Sequence, residues 1–154
     1  MIEQKVLSAL ERLRQKIIEN IIQQGKNATG QTVASLQVEH EGDIYRLVGR
    51  PFFPALETGR KPTDPNAPKS TPTLRERILE WVEAKGIATG REAVSASWAI
   101  SRYIHANGTA LYRSGQRDDV YTSAVGETIK DLQKELSLQL IKETQNIVQE
   151  YGDK

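Results

Sequence analysis

Residues 32–62, TVASLQVEHEGDIYRLVGRPFFPALETGRKP, restrict the possible folds more than any other stretch, because they carry the only clear β pattern and have helical periodicity on both sides. Ala34, Leu36 and Val38 alternate with Val33, Ser35 and Gln37, which gives one apolar face of period two. After Glu41-Gly42 the alternation resumes, with Tyr45 and Leu47 on one face and Ile44, Arg46 and Val48 on the other. If Glu41-Gly42 is a two-residue loop, Val38 lies opposite Tyr45 and Leu36 opposite Leu47, so the apolar face runs unbroken across an antiparallel hairpin. A lone hairpin is marginal in water. This one must therefore lean on helices, on a further strand or on a neighbouring subunit.

The flanking stretches read as helix. Over residues 2–24 the apolar positions Ile2, Val6, Leu10, Leu13, Ile17 and Ile21 step by threes and fours, and Gly25 is a natural stop. After the hairpin, Pro54 suits the first turn of a short helix through Thr58, ended by Gly59. Thr73 and Glu76 form a capping-box pattern ahead of Leu74, Ile78, Trp81 and Val82, with Gly86 as a left-handed cap and Ile87 packing back. A second such box, Thr89 to Glu92, opens a helix rich in Ala and Ser that ends at Gly108. Both Trp81 and Trp98 fall on core stripes. Residues 109–116 read as an irregular link. Asp118 is the expected N-cap of a last helix over 119–151, which would span about 50 Å unless it bends at Gly126. The expected fold is α+β: an N-terminal helix, an antiparallel hairpin, then three helices, the last one long. All of it forms a single domain over 1–154, with a proline-rich extended loop at 60–72 and a projecting C-terminal helix.

Composition narrows function. Acids and bases nearly cancel at a formal +1 over 154 residues, which argues against a dedicated nucleic-acid binder. With no cysteine, disulfides and thiolate metal sites are excluded. The charged N-terminus lacks an export-type apolar stretch and no window has the apolar length of a membrane span, so a soluble protein of the cytoplasm, or of particles assembled there, is expected. His40 and His105 sit in no metal or nucleophile motif. Asp118-Asp119, with Glu57 or Asp64, has the composition of a Mg²⁺ site, but adjacent aspartates ahead of a helix are better explained as caps. No phosphate-binding glycine loop or nucleophile elbow is present. The chain reads as a non-enzyme without cofactor or metal.

The basic residues Arg46, Arg50, Arg60, Lys61 and Lys69 gather near the hairpin and loop, offset by Asp43, Glu57 and Asp64. They read as a solvated face, with DNA backbone or an acidic protein surface as the alternative contact. A structureless loop as long as residues 60–72 is usually functional or disordered. With no catalytic residue to deliver, its use is to reach another protein.

An N-terminal helix, then SLQVEHEGDIYRLVG, then a proline/aromatic segment leading to ALETGRKP, resembles the tail-completion (minor tail-component) proteins of long-tailed bacteriophages. In that family a hairpin is followed by an aromatic residue, then Ala, Leu or Val, Glu, Gly and Arg or Thr. Phe53, Ala55, Leu56, Glu57, Gly59 and Arg60 match it, and Gly108-Thr109 matches a later Gly-Thr segment. The likeness covers the middle two-thirds of the chain. The proline-rich loop, the Phe53-Pro54 spacing and the long last helix depart from the short family form. The resemblance implies a structural virion protein whose copies form a ring, sixfold in the family pattern, at the head-proximal end of the tail. Its implied partners are the head connector, other neck proteins, the tail terminator and the tail tube, in non-specific proximity to DNA. Phe52, Phe53, Glu57, Arg60, Lys61 and Lys69 are the candidate subunit or partner contacts, with Glu57 and Arg60 flanking a tight glycine turn. The other readings are a protein-binding adaptor module and a small DNA-binding or DNA-processing protein.

Overall fold

Gly42 decides how the hairpin closes. A turn on Glu41-Gly42 with positive φ at both positions would strain the glutamate, whereas a turn on Gly42-Asp43 asks for positive φ only at its glycine. In the computed structural model, which describes residues 2–152, the second solution holds: Gly42 has φ +57 and no non-glycine residue has positive φ. Strand β1 (Gln37–Glu41) therefore pairs with β2 (Ile44–Val48) as Val38 to Leu47 and His40 to Tyr45. The expected pairing, Val38 to Tyr45, is shifted by two residues. A two-residue shift keeps each side chain on its face, so the apolar side of the ribbon is the one the alternation indicated.

The strand is also shorter than expected at its start. Residues 31–34 form a helical turn, α2 (Gln31–Ala34), entered through Gly30 at φ +74. The Ser35 hydroxyl donates to the Thr32 carbonyl at 2.7 Å, an example of a short polar side chain diverting backbone from strand.

Helix α1 (Ile2–Gln23) buries Ala9, Leu13, Ile17 and Ile21, one residue per turn. Leu13, Ile17 and Ile21 pack with Leu36 from the hairpin and with Val120 and Ala124 at the start of the last helix, and Leu47, Phe53, Leu56 and Tyr121 close the cluster. Neighbouring positions on α1 make a clean test. Ile21→Ala should cost about 2–5 kcal/mol by urea unfolding, because Ile21 is fully buried, while Ile22→Ala, half-exposed, should stay within about 0.5 kcal/mol.

A short helix α3 (Ala55–Thr58) follows the hairpin, and a helical pair α4 (Leu74–Ala84) and α5 (Gly90–Asn107) follows the proline-rich loop. The pair closes on small residues: Ala93, Ser97 and Ser101 of α5 are buried, with Leu74 and Val82 opposite. The two tryptophans are not core residues. Trp81 is 37% and Trp98 58% exposed, because the Ala/Ser stripe takes the contact face and Trp98 sits one position round the helix from it. Ile87 donates its N–H to the Val82 carbonyl at 3.0 Å, completing the Gly86 cap, but its side chain is exposed.

The two capping boxes differ. At Thr73 the box forms in full, with the Thr73 N–H donating to Glu76 Oε2 at 2.7 Å. At Thr89 no side-chain cap forms, because the backbone leaves the helical path at Gly90, φ +57. Thr73→Ala should therefore cost about 1 kcal/mol in thermal or urea unfolding. Thr89→Ala should cost less than half of that.

The expected link at 109–116 is a helix, α6 (Ala110–Ser114), and Tyr112 is exposed. The last helix, α7 (Thr122–Gly152), runs unbroken for 31 residues, about 46 Å. Gly126 does not break it. One interior glycine costs only about 1 kcal/mol, less than the packing of Ala124 and Val125 on α1 can hold. No helix among the described residues is long and apolar enough to cross a membrane.

Candidate functional site

The segment Ala55–Arg60 is where the chain crosses itself. Pro54 starts α3 and Gly59, at φ +75 and ψ 174, ends it. That geometry swings Glu57 inward, and Glu57 is 0% exposed. Its Oε1 accepts from the backbone N–H groups of Val120 (3.1 Å), Tyr121 (2.8 Å) and Thr122 (2.8 Å). Its Oε2 accepts from the Thr122 hydroxyl at 2.7 Å and from Arg117 Nε and Nη2 at 3.1 and 2.9 Å. The Glu57 carbonyl accepts from the Asp118 N–H at 2.9 Å. Glu57 is thus the cap of α7, supplied from 63 residues upstream at Val120, and it meets the positive end of the longest helix dipole in the chain. Burial raises its pKa, but the bonds from Thr122, Tyr121 and Arg117 outweigh burial and hold the carboxyl at about 2.

The sequence reading put Asp118 in this role. Instead Asp118 pairs with Lys26 at 2.7 Å, and the neighbouring Asp119 accepts from the Ser123 N–H at 3.0 Å, bonding to Ser123 that lowers its pKa. Asp64 is occupied by the Asn66 N–H at 2.9 Å. The four carboxylates weighed as a Mg²⁺ site are therefore engaged separately. No group of three His, Cys, Asp or Glu able to hold a metal occurs among the described residues.

On the other side of Gly59, the chain interlocks with the turn after α5. The Arg60 N–H donates to the Thr109 hydroxyl and the Thr109 N–H to the Arg60 carbonyl, both at 2.9 Å. Only glycine fits at this crossing. A Cβ on Gly59 would collide with the Tyr112 backbone nitrogen, and one on Gly108 would come within 2.7 Å of the Arg60 carbonyl oxygen. Thr63 extends the seam, its N–H donating to the His105 carbonyl at 3.0 Å and its hydroxyl lying 2.7 Å from His105 Nδ1.

Beyond the seam, the 60–72 loop arches over α4 and α5 and encloses a groove of about 740 Å³. Leu74, Pro68 and Trp98 give it an apolar lining, and Arg60, Lys69, Arg75 and Arg102 bring cationic groups to it. The Arg75 guanidinium lies 4.5 Å from the Trp98 ring centroid. The hydroxyls here are already engaged, Ser101 Oγ on the Trp98 carbonyl, Ser70 Oγ on that of Pro72, Thr73 Oγ1 on Glu76 and Thr63 Oγ1 with His105 Nδ1. The arrangement is suited to binding: it offers cations, an aromatic face and apolar surface.

The six candidate contact residues separate into three groups. Glu57 is consumed inside the chain and does not pair with Arg60, whose guanidinium instead donates to Thr63 Oγ1 at 3.0 Å. Phe53 is internal, its ring 5.4 Å from that of Tyr121. Phe52 lies half-buried between the Arg50 and Arg77 guanidinium groups, at 5.4 and 4.5 Å. Arg60 and Lys69 line the groove and Lys61 is exposed. Arg117, Thr122, Arg75 and Trp98 were missed by sequence reasoning. Arg117 had a signal, as a lone cation directly before two aspartates; Trp98 had none that distinguished it from core.

No family model, curated protein or solved structure matches the chain.

Proposed function

We propose that this chain is a structural protein of a tailed-bacteriophage virion, a tail-completion or neck component whose copies form a ring joining the head connector to the tail tube. It assembles in the host cytoplasm and performs no reaction. One observation carries the reading. The two segments behind the resemblance, ALETGR and Gly108-Thr109, lie far apart in sequence yet form one interlocked unit, held by reciprocal Arg60–Thr109 hydrogen bonds and by two glycines that admit no side chain. Two short matches arising by chance have no reason to meet.

The surface agrees with assembly. The two-stranded sheet has β1 and β2 as its only members among the described residues, so each strand keeps an unpaired edge. The far half of α7 exposes Leu140, Ile147, Val148 and Tyr151, more apolar surface than a helix gains by standing in water. The test is co-expression with the connector and tail-tube proteins of the same genome, followed by negative-stain microscopy. Ring-shaped complexes containing this chain are the expected result. Separate elution of all components, with no joint particle, would overturn the reading.

The groove favours the second reading, a protein-binding adaptor. On that account a monomer or dimer binds a peptide or helix through the 60–72 loop and never forms rings.

A further inference from the structure

Two of the uncovered surfaces have complementary chemistries. In the groove, Arg60, Lys69, Arg75 and Arg102 form no salt bridge among the described residues, although the Arg75 charge is felt by Glu76. The acid on the lining, Glu76, has its carboxylate committed to the Thr73 cap. Burial and then the nearby Arg77 charge lower the Arg60 pKa, so its cationic form lacks compensation.

The second surface is the end of α7. Every described side chain from Ile141 to Tyr151 is exposed, Tyr151 at 71%. At 100° per residue, Leu140, Ile147 and Tyr151 share one face, with Val148 at its margin. Between Ile141 and Tyr151 the acids Glu143 and Glu150 outnumber the one cation, Lys142. No residue of α7 lines the groove, so the chain does not satisfy itself.

We infer that the end of α7 from one copy seats in the groove of the next. Ile147 and Tyr151 then cover Trp98 and Pro68, both exposed on the lining, and Glu150 meets the cations at the rim. This inference rests on the ring reading and names its subunit contact. The groove's volume is that of a site for a drug-sized ligand, enough for the side chains of about one helical turn. Because helix end and groove are different patches, the contact is heterologous, and its repetition closes a ring or runs on as a filament. Two alternatives use only part of the surface. Pairing two α7 ends would bring acids together and leave the cations bare. Nucleic acid in the groove would use the cations but leave the apolar helix end in water.

The absence of cysteine makes the test direct. Ala67→Cys, exposed on the groove wall, and Val148→Cys, exposed on α7, are prepared separately in the full chain. They are mixed at high concentration under mild oxidation. The expected result is a mixed disulfide exceeding both homodimers several-fold. Adding Glu150→Arg to the Val148→Cys chain should cut it about tenfold, and Arg102→Glu on the other chain should restore it. A mixed product no greater than the statistical share, or one indifferent to the charge reversal, overturns the inference. So does a dominant Val148→Cys homodimer, or binding of a single-stranded oligonucleotide in the groove without the mixed disulfide. Rings formed with connector and tail tube but lacking the cross-link would remove this contact and keep the phage reading. A cross-link in a chain that never joins those partners would support the contact and remove the phage reading.

Discussion

Glu57→Ala is expected to lower the unfolding free energy by about 3–5 kcal/mol, because each buried donor left without its acceptor costs about 1–3 kcal/mol, while Arg117, 58% exposed, is free to rehydrate. The substitution leaves the Val120, Tyr121 and Thr122 N–H groups without an acceptor at the head of α7. It also empties a fully buried site. Glu57→Gln should cost less, since one oxygen can still accept from the helix N-terminus. It still fails at the other atom, where an amide NH₂ would face the donors of Arg117. The pH dependence has a definite sign. A carboxyl whose pKa falls from 4.5 unfolded to about 2 folded contributes stability that is complete above 4.5 and is lost as pH falls towards 2. Urea midpoints of the wild type should therefore fall across that window, and those of Glu57→Gln should fall less steeply.

The second large effect belongs to Gly59. Its φ +75 and ψ 174 lie in a region that is essentially glycine's alone, where other residues pay about 1–3 kcal/mol. The Cβ of alanine would also strike the Tyr112 backbone nitrogen, which no rotamer change can move. Gly59→Ala should lose at least about 3 kcal/mol once that overlap is added, enough to lower expression of folded protein. Gly115→Ala is the control. It too has positive φ, +67, but meets open space, so about 1–2 kcal/mol of backbone strain is the whole expected loss. Equal effects at both positions would mean that the crossing with Thr109 is not close.

What could be read from the sequence is what lies within a few residues. The Thr73–Glu76 box, the Gly59 and Gly108 stops and the buried stripe of α1 all stand where periodicity and cap chemistry place them. The hairpin faces survived an error in the turn because parity, not register, decides which side chains are buried. The misreadings share a different cause. Thr89–Glu92 has the letters of a capping box, but φ at Gly90 cancels it. Trp98 has helical spacing, but a stripe of alanine and serine packs closer and takes the core face. Above all, the cap of α7 comes from Glu57, and no local pattern connects a glutamate in a four-residue helix to N–H groups at residues 120–122. The resemblance marked Glu57, Gly59 and Arg60 as important and their setting as a subunit contact. Their geometry makes Glu57 and Gly59 internal and leaves the loop, the groove and the end of α7 facing outward.

That division is the centre of the account: an interlocked hub closed within each copy, and outward surfaces reserved for assembly. Hydrogen exchange of the chain alone and in complex with connector and tail-tube proteins measures it most directly. Amides at residues 57–60, 63 and 120–126 should be slow in both states, while those at 64–71 and 141–152 should become slow only on assembly. Protection gained at 57–60 and 120–126 on assembly, with the loop and the end of α7 unchanged, would contradict it.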